Sequence, residues 1–331
     1  MTRTAILGAG SWGTALAVHL ARVGHDVRLV ARDPGLASEM ARLRMNPAYL
    51  GVELPDAVQV TASLAQALAD VVLVVVAVPS HGYRSVLRAA GPHLPDGATI
   101  VSATKGLEAE TLCRMSQVIA AEIGDARPVV VLSGPSFAIE VVRRQPTAVV
   151  AASADPQATE WVQEEFRSPY FRVYGTSDVV GVEIAGAIKN VIAIAAGVVE
   201  GVGLGQNALA ALVTRGLAEI ARLVNAAGGR RETTAGLSGL GDLVLTCTGA
   251  HSRNRRVGVE LARGRGLADI VGGMKMVAEG VKTTDAALAL GVRYAVELPI
   301  VEQMAEVLGG RSGVRAAVEA LMLRPQRTET A

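Results

Sequence analysis

Ala5-Ile6-Leu7-Gly8-Ala9-Gly10-Ser11-Trp12-Gly13-Thr14 decides the fold of the first half of the chain. A short apolar run leads into three glycines with G-x-G-x-x-G spacing, and a helical pattern follows from Thr14 to Leu20. Between a strand and a helix, Gly8 allows the tight turn, Gly10 lets backbone approach a pyrophosphate, and Gly13 lets the helix pack on the strand. The helix would then aim its free N–H groups and positive dipole end at the anion. A bound dinucleotide is the expectation.

Outward from this loop, the β-branched runs Thr4-Leu7, Asp26-Val30, Val71-Val76, Thr99-Ser102, Val129-Leu132, Ala148-Ala151 and Phe171-Val173 alternate with helical stretches. This βαβ pattern predicts an α/β, Rossmann-type, doubly wound and mostly parallel sheet over residues 1–177. Beyond Ser177-Asp178 the strand signals fade, and Ala/Leu/Val/Gly segments with helical spacing predict an all-α domain over 178–323. The polar end 324–331 is expected to be a flexible tail.

Composition agrees with two buried cores. Of 331 residues, 50% are hydrophobic but only 3% aromatic, so the interior must be built from Val, Leu, Ile and Ala. With 32 basic against 31 acidic residues, no nucleic-acid partner is expected and any anion must be bound by a local site. Cys113 and Cys247 stand far apart in no metal-like spacing, which points to two free thiols and no metal. The Val71 to Val78 run falls well short of a transmembrane segment, and the first residues form a strand and turn rather than a signal peptide. A cytoplasmic protein is therefore expected, and the small residues of the second half leave room for a homodimer.

Ligands of open parallel sheets bind outside the carboxyl ends of the strands. The loops there read Gly8 to Gly13, Val78-Pro79-Ser80-His81, Thr104-Lys105-Gly106 and Gly134-Pro135-Ser136. Small polar groups and a cation suit a phosphorylated ligand. The residue that selects the nicotinamide cofactor should lie about 20 residues past the glycines. Arg32 stands there and would pair with a 2′-phosphate, favouring NADPH/NADP. The adjacent Asp33 keeps NADH/NAD open, because a one-residue shift in the strand end exchanges the two side chains.

In the second half, Lys189 is the only charge between Ile184 and Val199. On a helix its neighbours three and four residues away are Ala185, Gly186, Ile192 and Ala193, none of which can pair with it. Desolvation would pull its pKa from ~10.4 toward the ~7–8 useful for proton transfer. Gly239-Leu240-Gly241-Asp242 places a carboxylate behind a flexible turn, and Ser252-Arg253-Asn254-Arg255-Arg256 offers a hydroxyl, an amide and cations for a phosphate. His81 and His251 read as ordinary exposed histidines.

Seven motifs, in order, resemble the bacterial NAD(P)-dependent glycerol-3-phosphate dehydrogenases: Gly8 to Ala15, Ser102 to Glu108, Gly134 to Ala138, Ala187 to Ala193, Gly239 to Leu243, Ser252 to Arg255, and Val277 to Val281. The resemblance implies that Ser11, Trp12, Arg32, Tyr49, Lys105, Ala138, Arg253, Val277 and Glu279 contact the nucleotide, beside Gly8, Gly10 and Gly13. It implies a small phosphorylated substrate, glycerol 3-phosphate, at Lys105, Gly134, Ser136, Lys189, Asp242, Ser252, Arg253 and Asn254, with Asn190 in the same motif. Lys189 would be the proton acceptor, supported by Asp242 and Lys105. The family role would be to supply glycerophospholipid synthesis. One departure is Asn46-Pro47-Ala48-Tyr49-Leu50-Gly51, which lacks the proline that the family usually carries between the leucine and the glycine. A reductase of keto acids and a non-catalytic NADPH-binding sensor are the rival readings; the sensor leaves Lys189, Asp242 and Ser252-Arg253-Asn254 unexplained.

Overall fold

The computed structural model describes residues 1–274, 278–326, 328 and 329. Val277 of the expected nucleotide site, and Arg327, Thr330 and Ala331 of the expected tail, lie outside them. One sheet contains β1 (Arg3–Leu7), β2 (Asp26–Val30), β3 (Val58–Thr61), β4 (Leu73–Val76), β5 (Thr99–Ser102), β6 (Val129–Ser133), β7 (Thr147–Ala152) and β8 (Phe171–Thr176), in the order β3-β2-β1-β4-β5-β6-β7-β8. Only β6 and β7 pair antiparallel. Around the sheet lie α1 (Ser11–Arg22), α2 (Pro34–Leu43), α3 (Leu64–Leu68), α4 (Ser80–Ala90), α5 (Met115–Ile123), α6 (Ala138–Val142) and α7 (Pro156–Phe166).

The strand that sequence reading does not single out is β3. Val58-Gln59-Val60-Thr61 sits at the sheet edge and pairs only with β2, so it needs just one strongly apolar position, and Val58 alone is fully buried. The β1 and β4 neighbours mark the point where strand order reverses, which is where a crevice for a ligand forms. The glycine loop and the loop after β4 meet there. A Cβ on Gly8 would stand 2.7 Å from the Ala77 carbonyl oxygen, and one on Gly13 would stand 1.9 Å from the Gly8 carbonyl oxygen.

The second half is helical: α8 (Val179–Val202), α9 (Gly205–Ala226), α10 (Arg231–Thr234), a π-helical turn Leu237–Gly241, α11 (Asp242–Thr248), α12 (Arg253–Ala262), α13 (Leu267–Gly272), α14 (Glu279–Tyr294), α15 (Pro299–Leu308) and α16 (Val314–Met322). Asp178 starts α8 by accepting a hydrogen bond from the Gly181 N–H at 2.9 Å. The helix is apolar and long enough to cross a membrane, but 89% of its most apolar stretch is buried inside the protein. It is the axis of the helical core.

Small residues let α12 cross α8 in backbone contact. A Cβ on Gly258 would stand 1.9 Å from the Ile194 carbonyl oxygen, and one on Gly197 would stand 1.9 Å from the Arg255 carbonyl oxygen. Neither neighbour is a side chain that could swing away. Gly258→Ala must therefore push the helices apart, at a cost of about 1–3 kcal/mol or more. Gly82→Ala, in α4 where a Cβ meets nothing within 4 Å, is expected to stabilise by about 0.5–1 kcal/mol. Urea unfolding of the two variants checks the opposite signs.

Candidate active site

Lys189 lies midway along α8 and is 5% exposed. Its partners come from α11, outside its own helix. The Nζ donates to Asp242 Oδ1 at 2.7 Å and to Thr246 Oγ1 at 2.8 Å. Thr246 spends its own hydrogen on the Asp242 carbonyl oxygen at 2.6 Å, one helical turn back, so its oxygen is oriented to accept. Thr246 is absent from the sequence reading, although its position four residues after Asp242 puts it on the same helix face.

Asp242 is 1% exposed and serves a second ammonium. Lys105, in the loop after β5, donates to Asp242 Oδ2 at 2.6 Å and to the Gly134 carbonyl oxygen at 2.8 Å. Ser136 Oγ donates to the same carbonyl at 3.0 Å. The motifs around Lys105, Gly134, Ser136, Lys189 and Asp242 thus converge at the junction of sheet and helices. The turn before Asp242 is wound as a π-helix rather than left flexible: a Cβ on Gly239 would stand 2.1 Å from the Thr234 carbonyl oxygen, so packing explains that glycine.

Charge and burial compete in this cluster. Burial pulls the Lys189 pKa down to about 8, while Asp242 draws it back up and Lys105 presses it down. Burial pushes the Asp242 carboxyl up, but the two ammonium groups outweigh it and hold it below the usual range. The Cys247 thiol, also buried here, is pushed up to about 12 by burial and is an inert neighbour.

Beside Lys189, the Ser252-Arg253-Asn254 motif opens α12. Ser252 Oγ caps the helix by accepting from the Arg255 N–H at 3.2 Å, and Asn254 Nδ2 donates to Asn190 Oδ1 at 2.8 Å. Arg255 turns away from this point, to Glu200 and the Gly249 carbonyl. Arg256 is exposed, and His81 and His251 are exposed as well, the latter edge-on to Phe137. Glu279, at the start of α14, faces Ser80 at the start of α4.

The crevice at the end of β1 has the features that a dinucleotide needs. Gly10 is the N-cap of α1 and makes no side-chain cap over the helix end, and a Cβ there would meet nothing within 4 Å, so the backbone at this helix start is open to close approach. Asn46, fully buried, donates to the Ala9 carbonyl oxygen and to Thr14 Oγ1, both at 2.8 Å. Ser11 Oγ donates to the Tyr49 carbonyl oxygen at 3.1 Å, and the Tyr49 N–H donates to Asn46 Oδ1 at 3.3 Å. The segment is pinned over the glycine loop without the missing proline. Trp12 and Ala138 rest half-buried against the sheet core. At the end of β2, Asp33 accepts from the Gly35 N–H at 2.9 Å as the cap of α2, and both Arg32 and Asp33 are exposed.

Two family models match the chain: NAD-dependent glycerol-3-phosphate dehydrogenase N-terminus over residues 3–159, and the C-terminus of the same family over residues 178–319. A glycerol-3-phosphate dehydrogenase (NAD(P)+) of Koribacter versatilis (strain Ellin345) is 52% identical over 335 residues, spanning 99% of each chain. The crystal structure of a glycerol-3-phosphate dehydrogenase from Coxiella burnetii is 40% identical and superposes with a TM-score of 0.94 over 98% of this chain and 99% of that one. A ketopantoate reductase from Ralstonia eutropha, 16% identical with a TM-score of 0.61 over 97% of this chain and 100% of that one, shares the fold alone.

Removing the shared carboxylate tests the cluster. Asp242→Asn leaves two lysines without their counter-charge, an uncompensated burial expected to cost about 3–5 kcal/mol. It also takes away the attraction that holds the proton on Lys189, so the pKa near 8 should fall. Urea unfolding and the pH dependence of activity read the two effects separately.

Proposed function

The chain belongs to the NAD-dependent glycerol-3-phosphate dehydrogenase family and is an NAD(P)-dependent oxidoreductase, and from that premise we propose that it reduces dihydroxyacetone phosphate reversibly to sn-glycerol 3-phosphate. In this reading NADPH is the preferred cofactor, the product supplies glycerophospholipid synthesis, and catalysis takes place between a nucleotide domain ending at Ser177 and a helical domain beginning at Asp178. The observation that carries it is the Lys189–Asp242–Lys105 cluster, in which burial brings the Lys189 pKa down to about 8, placed beside the Ser252-Arg253-Asn254 helix end.

When bound, the nicotinamide supplies or takes up the hydride at the central carbon of the substrate. Gly8, Gly10, Ser11, Trp12 and Gly13 would hold its pyrophosphate side, with Arg32 and Tyr49 toward the adenosine and Lys105, Ala138, Arg253 and Glu279 toward the other end. The chain's own chemistry is proton handling. Asp242 and Thr246 take two of the three Lys189 ammonium hydrogens, leaving one to donate to the carbonyl oxygen as negative charge grows there. As a neutral amine, Lys189 takes the proton back during oxidation. Lys105, held by Asp242 and the Gly134 carbonyl, adds a second positive charge on the same side. Gly134, Ser136 and Asn190 would complete the substrate walls, while Ser252, Arg253 and Asn254 would hold the phosphate and use its binding energy for orientation.

The sign of the pH dependence follows from the proton's direction. Reduction uses the ammonium and should fall as pH rises through about 8. Oxidation uses the amine and should rise through the same region. Stopped-flow or steady-state NADPH absorbance in both directions checks this mirror pair. Lys189→Ala should lower kcat by roughly 10²–10⁴-fold, the usual contribution of a positioned acid or base, while NADPH binding measured by fluorescence persists. Near-normal turnover would overturn the assignment. Arg32→Glu should weaken NADPH by roughly ten- to a hundredfold through loss of a charge-assisted pair, and should spare NADH. The same absorbance assay with a keto acid in place of dihydroxyacetone phosphate separates the rival substrate class.

A further inference from the structure

The loop Val78-Pro79-Ser80-His81 lies at the carboxyl end of β4, next to the glycine loop, and the reaction described above gives it no task. Ser80 is 3% exposed and directs both of its donors to one carboxylate from the other half of the chain. Its Oγ donates to Glu279 Oε2 at 2.6 Å and its backbone N–H donates to Glu279 Oε1 at 3.2 Å. Because Ser80 is the first residue of α4, the carboxylate also rests on the positive end of an 11-residue helix.

The contact continues across the helical half. Glu279 opens α14, and the next N–H, that of Gly280, donates to Asn254 Oδ1 at 3.0 Å. Asn254 Nδ2 donates to Asn190 Oδ1 at 2.8 Å, beside Lys189. There is little slack in the path. A Cβ on Gly280 would stand 2.5 Å from the Asn190 carbonyl oxygen, and one on Gly106, next to Lys105, would stand 2.7 Å from the Ser80 Cβ.

We infer that Ser80 is a positioning residue for substrate: acting through Glu279 and Gly280, it fixes which end of the Asn254 amide faces the phosphate. An amide presents a carbonyl oxygen on one side and an NH₂ on the other, and only the hydrogen bonds around it choose the orientation. The Gly280 N–H donates, so only the oxygen end of the amide can be its partner, and the NH₂ end keeps one hydrogen for Asn190 and one for an anion. If the start of α14 loses its hold on α4, that preference weakens, and the reversed amide sets an oxygen against the phosphate. The inference rests on the phosphate subsite assigned under the proposed function.

Steady-state kinetics of the parent enzyme, Ser80→Ala, Ser80→Thr, Glu279→Gln and Arg253→Ala, with dihydroxyacetone phosphate varied at saturating NADPH and NADPH varied at saturating dihydroxyacetone phosphate, test it, with inorganic phosphate as a competitive probe. In Ser80→Ala the KM for dihydroxyacetone phosphate and the inhibition constant of inorganic phosphate are expected to rise together by roughly tenfold, the scale of one hydrogen bond, with kcat nearly unchanged. Ser80→Thr keeps the hydroxyl and should restore both constants toward the parent. Glu279→Gln, which keeps the shape but loosens the hold on α4, should move both constants in the same direction. Unchanged constants in the folded Ser80→Ala and Glu279→Gln proteins, or a rise confined to the KM for NADPH, would overturn the inference. Arg253→Ala reads the phosphate subsite itself. If it leaves phosphate inhibition untouched, the subsite assignment fails and the inference falls with it, whereas a subsite that responds to Arg253→Ala but not to Ser80 removes the inference alone.

Discussion

One carboxylate, Asp242, holds two ammonium groups from opposite halves of the chain, and the rest of the site is arranged around that constraint. Three charges in a buried place are costly, because each ion gives up several kcal/mol of hydration. Among the described residues, two positives stand against one negative in these ion pairs. Such an arrangement is poor engineering for stability and good preparation for an anion or for an oxygen that becomes negative during reaction. It also joins the halves mechanically: Lys105 comes from the end of a strand, Lys189 and Asp242 from helices. The Arg114 and Ser116 contacts to buried Glu183 tie the same two halves farther from the chemistry.

Beside that cluster, two helices lie closer together than ordinary side chains permit. Gly197 and Gly258 bring α8 and α12 into backbone contact, and this brings Asn254 within hydrogen-bond reach of Asn190. A rigid crossing made from main chain has few alternative packings, since no rotamer change can relieve a clash with a carbonyl oxygen. The abundance of Gly and Ala in the second half thus has a definite physical use. It exchanges side-chain burial for precision in the spacing of polar groups.

The parts of this design that were legible in the sequence are those written in local periodicity or in a residue out of keeping with its neighbours. The glycine loop followed a visible strand and preceded a visible helix. Lys189 stood out because nothing three or four residues away could pair with it. Where partners lie far along the chain, pattern is silent: Asp242 could be named as a candidate but its simultaneous hold on Lys105 and Lys189 spans 137 and 53 residues. Thr246 was hidden because a threonine in a helix usually bonds its own backbone, as this one does while also receiving Lys189. The choice between Arg32 and Asp33 is not written in periodicity either, and the cap that Asp33 makes on α2 is a contact two residues long that only the exact end of β2 could reveal. Strand β3 escaped because an edge strand buries one face against few neighbours and so carries little apolar signal.

The same architecture in a 16% identical ketopantoate reductase shows how little the fold alone says about substrate. What separates the two substrate classes must lie in the charges lining the cleft. A planar carboxylate is satisfied by one two-pronged cation, whereas a phosphate dianion has three terminal oxygens and rewards donors converging from several directions. In the proposed reaction the start of α12 would offer such donors, because Ser252, Arg253 and Asn254 are three consecutive residues at a positive helix end. With a net charge of only +1 for the whole chain, long-range attraction contributes little, so in the proposed reaction selection between anions would depend on short-range geometry. In the proposed reaction that geometry does further work, because a phosphate gripped at the end of α12 fixes the distance from its own oxygens to the carbonyl carbon, and so determines whether the carbonyl oxygen arrives at the remaining hydrogen of Lys189.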